Sequence, residues 1–377
     1  MTHRFLHSSD LHLGKAFGGF PEQIRGRLRE ARHGAISRLA SAARQGGTDL
    51  VLLAGDTFDA ETPAPETLRH ALRALAAEAG ITWVMLPGNH DSLAASELWR
   101  RIAADGPPTL RAVTGPVPFE AAPGLWILPA PCTQRRPGRD LTEAMEAATP
   151  ESALRVGLGH GAVTDFSGEE GTTGIIPPDR ARLSGLDYLA LGDWHGCLQI
   201  GPATWYSGTP EADSFKHSVP ASALAVALLV ALAAGAVPQV TQVPTGAFGW
   251  LRPEVDLLPG DDAVARMTNA LPPLTGRRDQ LLRLVARGRL PLADLTTLRA
   301  ALKAAGPDFG WFESDLAALS AEARPEDLDQ IDHAGALRQA AEALLAESLD
   351  PALSLDARSV AGAALSRLYA LALEVQA

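Results

Sequence analysis

Two cysteines, three tyrosines and an aromatic share of 5% are what this 377-residue chain has least of. Cys132 and Cys197 cannot make a disulfide framework, and they stand at no zinc-finger spacing, so a reducing, cytoplasmic setting is expected. Basic residues are in deficit as well: Lys and Arg number 33 against 44 Asp and Glu, a formal net charge of −11. That balance excludes an unspecific nucleic-acid coat protein, which is usually basic. It leaves a nuclease open, because metal ions offset a carboxylate-rich site and a local basic patch can suffice. The opening MTHRFLHSSD has no apolar stretch after its charge, so a secretory leader is not expected. The one long uncharged run, Ala221 to Val237, is diluted by alanine and Gly235 and stops at Pro238. It reads as a strand and turn rather than a membrane span, and no membrane partner is expected.

What is present is an ordinary globular composition, 46% hydrophobic and 20% charged, with enough apolar residues for a sizeable core. The first half alternates short apolar runs with helical patterns. Strands are expected at Arg4–His7, Asp49–Ala54 and Ile81–Leu86. Helices are expected at Glu22–Arg44, opened by Pro21 and closed by Gly46-Gly47, and at Glu66–Ala79. A further helix through Arg101 is expected to be capped by Ser92. Later strands fall at Leu125–Pro129, Arg155–Leu158, Tyr188–Leu191 and Thr204–Ser207, with Pro and Gly between them that suggest a mixed sheet or sandwich. The polar stretch Thr164–Gly174 reads as a mobile loop. Past about residue 250 chemistry-bearing residues thin out. There Leu281–Val285 reads as a strand, GRLPLAD opens a helix, and Ala334–Ser348 and Asp356–Val375 read as amphipathic helices. The expected fold is α/β (α+β), with domains at 1–245 and 246–377.

Acidic, imidazole and amide groups cluster where apolar strands end. The series is Asp10-Leu-His12, Gly55-Asp56-Thr-Phe-Asp59, Gly88-Asn89-His90-Asp91, Gly159-His160-Gly161 and Gly192-Asp193-Trp194-His195. In extended backbone, residues two apart point the same way, so Asp10 and His12 can reach one ion. Glycine ahead of a ligand lets the backbone turn beside a bulky metal or phosphate. Mixed carboxylate, imidazole and amide donors suit Mn²⁺, Fe²⁺ or Zn²⁺. Each piece by itself reads as a turn, a cap or a structural histidine; the order of all five carries the inference.

That series, over residues 5 to about 210, resembles the five motifs of calcineurin-like metallophosphoesterases. The wording HSSDLHLGKAF, LAGDTFDAETPAPET and YLALGDWHG…YSGTPE is similar to the SbcD-type subunit of bacterial DNA-repair exonucleases. The resemblance implies a mixed β-sandwich flanked by helices, followed by a smaller capping domain. It implies two divalent ions, with manganese first and Fe²⁺, Zn²⁺ or Mg²⁺ as alternatives. Carried over by motif, one ion would be held by Asp10, His12, Asp56 and His195, and the other by Asp56, Asn89, His160 and Asp193, so that Asp56 bridges. His90 would be the catalytic histidine, with Asp59 orienting it. The family pattern usually has histidine where this chain has Asp193. A carboxylate there can ligate through oxygen and harden the site; the alternative is that it does not ligate.

The activity implied is phosphodiester hydrolysis, as a DNA exonuclease or endonuclease subunit in DNA repair, working with an SMC-like ATPase. The family also tends to form homodimers. A small-molecule phosphodiesterase or phosphatase on the same core is the alternative within enzymes. A non-catalytic partner-binding subunit is the alternative outside them. Lys15, Arg135 and Arg136 are candidates for substrate contact, although Arg135-Arg136 reads first as a plain solvated pair, and Trp194 either stacks on a base or packs beside the ions. The cluster Arg25, Arg27, Arg29 and Arg32 reads as a solvated helix face.

Overall fold

The structure is a computed structural model that describes residues 2–164, 175–215, 225–322, 325–332 and 335–376. The chain forms two compact units, Met1–Gly249 and Trp250–Ala377.

In the first unit, β1 (Thr2–Ser8), β2 (Leu50–Leu53), β3 (Thr82–Met85) and β4 (Leu110–Ala112) pair in parallel. A second sheet is built from β5 (Phe119–Ala122), β6 (Leu125–Ala130), β7 (Leu154–His160), β8 (Tyr188–Gly192), β9 (Leu198–Gly201) and β10 (Thr204–Tyr206), in the order β5-β6-β7-β8-β10-β9. Strands β11 (Val226–Ala233) and β12 (Gln239–Pro244) complete the first sheet antiparallel to β1, giving β12-β11-β1-β2-β3-β4. The described part of the uncharged run is thus a strand and turn. No helix of the described residues is long and apolar enough to cross a membrane.

Period-two alternation decides which side chains face where. Phe5, Leu50, Leu52 and Val84 join Ile127, Val156, Leu158 and Tyr188 in a core between the two sheets. Their neighbours Leu6, Val51, Leu53, Trp83 and Met85 face the helices α1 (Glu22–Gln45), α2 (Pro65–Ala77) and α3 (Ser96–Asp105). The short α4 (Arg180–Leu183) sends Ala181 into a smaller cluster on the far side of the second sheet. The result is a mixed β-sandwich with helices, an α/β fold of the class expected. Because β1–β3 and β6–β8 are each parallel sets, their carboxyl ends open at common edges, where such folds place sites.

Two local expectations fail. Ser92 does not cap α3, which starts at Ser96 after Ala95 with no side-chain cap. Its hydroxyl donates to Glu61 at 3.1 Å instead. The loop is held by Trp99 Nε1 donating to the Asp91 carbonyl at 2.6 Å, which leaves Ser92 short of the helix. Nor is the arginine cluster all solvated, since Arg32 is 1% exposed. The stretch 165–174, read as a mobile loop, lies outside the described residues.

The second unit has β13 (Gly249–Leu251), β14 (Glu254–Leu257), β15 (Gln280–Pro291) and β16 (Trp311–Glu322) around the central β15. Helices α5 (Ala263–Ala270) and α6 (Leu292–Ala305) cover it through Met267, Leu295, Leu298 and Leu302. Helices α7 (Pro325–Ile331), α8 (Ala336–Leu349) and α9 (Leu355–Gln376) form a further apolar cluster around Leu292, Ala341, Leu365 and Tyr369.

Candidate metal centre

Each predicted ligand follows the end of a strand of the sandwich. Asp10 and His12 follow β1, Asp56 follows β2, Asn89 and His90 follow β3, His160 ends β7, and Asp193 and His195 follow β8. The first two loops are stitched together by backbone: Asp10 N–H donates to Gly55 O, His12 N–H to Asp56 O and Leu13 N–H to Thr57 O, at 3.1, 3.0 and 2.9 Å. That ladder needs sharp turns. Asp10, His12 and Asp56 take φ of 54°, 45° and 52°, and Asp193 takes 104°. A left-handed backbone costs a non-glycine residue about 1–2 kcal/mol, so surrounding contacts hold these residues in place.

Glycine makes room at two points. A Cβ on Gly88 would stand 2.1 Å from Asp56 Oδ1, and one on Gly192 would stand 2.2 Å from Ala54 O. Neither residue could carry a side chain without pushing the loops apart.

The four histidines of these loops turn Nδ1 away from the centre, toward oxygen atoms. His12 Nδ1 lies 3.1 Å from Asp59 Oδ1, His90 Nδ1 3.0 Å from Asp59 O, His160 Nδ1 2.8 Å from Ala54 O, and His195 Nδ1 3.2 Å from Asp213 Oδ2. The backbone carbonyls at His90 and His160 only accept, so Nδ1 carries hydrogen there, and Nε2 of His12, His160 and His195 faces the centre. Those Nε2 atoms converge. His12 and His195 Nε2 are 3.2 Å apart, and they stand 3.8 and 3.9 Å from Asp10 Oδ1. Asp56 Oδ2 lies 3.7 Å from His12 Nε2 and 3.5 Å from His160 Nε2. Three triads have donor atoms within 4.8 Å of one another: Asp10–His12–His195, His12–Asp56–His90 and Asp10–Asp56–His160.

This donor set fits divalent cations. His160 Nε2 and Asn89 Oδ1 are buried without a hydrogen-bond partner, an expensive state unless a cation faces them. His12 and His195 bring two Nε2 atoms within 3.2 Å of each other, both able to face one cation. The electrostatics agree. Burial disfavours charge on His160, yet Asp56 and Asp10 raise its pKa well above the usual histidine value. Burial is outweighed at His195 too, by the hydrogen bond and charge of Asp213. At Asp56 burial pushes upward, but the charges of His160 and His12 and the His90 N–H leave its carboxyl below the usual range.

Two expected roles take a different form. Asp59 meets His90 through its backbone carbonyl, while its carboxylate holds His12. Asp193 accepts from Asn89 Nδ2 at 2.9 Å, and its own N–H donates to Asp10 Oδ2 at 3.1 Å. It lies 3.7 Å from His160 Nε2 but in none of the three triads. Its carboxylate therefore turns the Asn89 amide so that Oδ1 is the atom left over. Lys15 Nζ donates to Asp213 Oδ2 at 2.7 Å.

Sequence reading missed the residues beneath the ligands. Ser9 Oγ donates to Asp10 Oδ2 at 2.5 Å and meets Ser207 Oγ at 2.9 Å. Thr209 Oγ1 donates to Asp10 O at 2.9 Å. Arg32 donates to Leu11 O at 2.6 Å and Glu211 O at 2.9 Å. Asp91 accepts from Gly88 N–H at 2.7 Å and Phe58 N–H at 3.0 Å, tying the second loop to the third. The signals were faint: the acid directly after GNH, and the SGTPE run after β10.

Residues 3–128 match the family model described as calcineurin-like phosphoesterase. The chain is similar to an uncharacterized metallophosphoesterase, YhaO, of Bacillus subtilis (strain 168), at 28% identity over 230 residues, 57% of this chain and 54% of that one. It is similar to one component chain of the SbcCD nuclease of Escherichia coli (strain K12), at 33% identity over 141 residues, 35% of this chain and 34% of that one. The chain thus spans about half or less of the curated relatives it matches. Among solved structures it is similar to the purple acid phosphatase PPD1 of yellow lupin, at 10% identity and a TM-score of 0.40, over 62% of this chain and 49% of that one. The calcineurin-like metallophosphoesterase superfamily is supported over the first three motifs; the loops at His160 and Asp193 lie beyond the residues the family model matches.

Proposed function

We propose that the sandwich unit is a two-metal phosphodiesterase and that its substrate is DNA, with the chain acting as a nuclease subunit in DNA repair beside an SMC-like ATPase. The carrying observation is Asp56 Oδ2, within 3.7 Å of His12 Nε2 and 3.5 Å of His160 Nε2, the position of a carboxylate shared by two ions. Asp10, His12, Asp56 and His195 would hold one ion. Asp56, Asn89 and His160 would hold the other, with Asp193 ligating it or aiming Asn89 at it. Divalent ions there, manganese first, would supply positive charge to the phosphoryl oxygens and acidify the attacking water. His90 does the remaining work from the protein side. Its Nδ1–H is fixed by the Asp59 carbonyl, so a proton carried on Nε2 is oriented for the leaving oxygen, a contribution of about 10²–10⁴-fold. Asp59 Oδ1, 3.1 Å from His12 Nδ1, would help to orient that ring.

DNA as substrate and the ATPase partner rest on the partial likeness to the SbcCD component and on the loop wording it shares. A cytoplasmic location goes with this reading, and the two free thiols, Cys132 and Cys197, support it. The test joins metal analysis to a DNA-degradation assay with Mn²⁺. Wild type should hold two ions and degrade DNA, and His90→Ala should keep the ions and lose the degradation. Cleavage of nitrophenyl phosphates or cyclic nucleotides alone would transfer the site to the small-molecule reading, which the net charge of −11 favours.

A further inference from the structure

Beside the metal centre lies a cavity of about 480 Å³ whose walls differ in chemistry. One wall is the centre itself, through Asn89, His90, His160 and Asp193. A second is apolar, through Ala130, Leu141, Ile175 and Ile176. The third is the loop after β6, carrying Arg135, Arg136 and Arg139. That loop turns at Gly138, with φ of 68°, and Gln134 Nε2 donates to Arg136 O at 2.9 Å. The three guanidinium groups are exposed and make no ion pair among the described residues. The nearby Arg180 is the contrast: it is 4% exposed and bound to Asp140 and Glu146 at 2.5 and 2.8 Å.

In a chain of net charge −11, three unpaired cations within five residues, facing the same cavity as His90, are a local reversal of sign. A phosphate at the metal centre is already met by the ions proposed there, so the arginines suit a second anion of the same substrate. The apolar wall between suits a sugar and base, and the volume is of the order a nucleotide needs. Arginine recognises phosphate through a planar pair of donors.

We infer that this cavity is the subsite for the nucleotide adjoining the scissile bond, with Arg135, Arg136 and Arg139 holding the next phosphate of the strand. The inference rests on the nuclease reading above and names how that site would select a polyanionic strand over a lone phosphodiester.

The test is the triple variant Arg135→Ser, Arg136→Ser, Arg139→Ser, compared with wild type on two probes. A fluorescein-labelled oligodeoxythymidylate is bound in EDTA, without turnover, across a salt series. The same oligonucleotide and bis(p-nitrophenyl) phosphate are then hydrolysed with Mn²⁺. The expected result is binding weakened by about tenfold or more and a plot of log affinity against log salt shallower by about 2, from three lost contacts at about 0.7 each. KM for the oligonucleotide should rise with little change in kcat, lowering its efficiency at least about tenfold relative to bis(p-nitrophenyl) phosphate. Unchanged oligonucleotide affinity and salt slope would overturn the subsite while leaving the nuclease reading intact. Equal losses on both probes would overturn it too, by placing the arginines' effect at the scissile group. A wild type that hydrolyses bis(p-nitrophenyl) phosphate but neither binds nor cuts the oligonucleotide ends the nuclease reading, and the subsite with it.

Discussion

The two units place their charged residues in opposite ways. In Met1–Gly249, Asp10, His12, Asp56, His160 and Arg32 are each 6% exposed or less, and Asp10, His12, Asp56 and Asp193 sit on left-handed backbone. In Trp250–Ala377 no described non-glycine residue has positive φ and no described metal-capable triad occurs. Ion pairs such as Arg283–Glu313 at 2.6 Å and Arg287–Glu254 at 3.0 Å lie at its surface, and its buried Arg277 reaches outward to the exposed Asp308 at 3.1 Å. The lesson is where destabilising features are tolerated. Buried charge and a strained backbone persist only where hydrogen bonds from several strands over-determine them, and that is where chemistry is expected. The second unit is an apolar core with a salt-bridged skin. It also leaves Leu349, Leu355, Val360 and Val375 between 65% and 87% exposed.

Substitutions can break that contrast, beginning with the carboxylate between the histidines. Asp56→Asn should lower metal stoichiometry and cut phosphodiester hydrolysis by about 10³-fold or more, since charge stabilisation of that kind is the largest catalytic term. Two ions retained at wild-type affinity would remove Asp56 from the bridging role. Next is Arg32→Met, which leaves the Leu11 and Glu211 carbonyls without their donor inside the fold. A loss of about 3–5 kcal/mol is expected in urea unfolding; a loss below 1 kcal/mol would mean the buried cation is dispensable.

Asp213→Asn sharpens the picture of the supporting shell. The His195 ring would lose a carboxylate acceptor, and metal affinity measured by competition with a chelator should fall about 10–100-fold, with the unfolding midpoint little changed. Unaltered affinity would reduce Asp213 to a partner of Lys15.

His7 supplies a pH dependence. Burial lowers its pKa from 6.5 to about 3, against a smaller upward pull from the Leu191 carbonyl. The unfolded chain therefore binds a proton that the folded chain refuses. The stability concerned is fully present above pH 6.5 and falls as pH drops toward 3. Between pH 6.5 and 5 it amounts to about 1.5 kcal/mol, and in His7→Gln the wild-type slope over that window should flatten accordingly. An identical slope would mean that His7 does not control it. The smallest effect belongs to the second unit. Arg283→Met, at a pair more than a third exposed, should change unfolding free energy by less than about 1 kcal/mol. A larger loss would erase the distinction between the units.

How much was legible follows from range along the chain. Asp10, Asp56, Asn89, His160 and His195 stood out because each follows or ends a short apolar strand, and strand ends in a parallel set gather at one edge. Asp213, Ser207 and Thr209 did not stand out, because their partners His195, Ser9 and Asp10 lie in other loops, up to 199 residues away. Ser92 misled for the opposite reason: it has a good local capping sequence, which Trp99 and Glu61 override. Arg32 looked like one of several surface arginines until the fold put backbone carbonyls from two distant loops around it.

By itself the sequence determined the strand–loop–helix rhythm and the donor types in the loops, because apolar periodicity and glycine placement act over a few residues. Only the tertiary structure decided which nitrogen of each histidine faces the centre, that Asp59 serves His12 by its carboxylate and His90 by its carbonyl, and that Asp193 turns Asn89. Those outcomes depend on ångström-scale hydrogen-bond geometry between segments brought together by folding, and no local pattern encodes them.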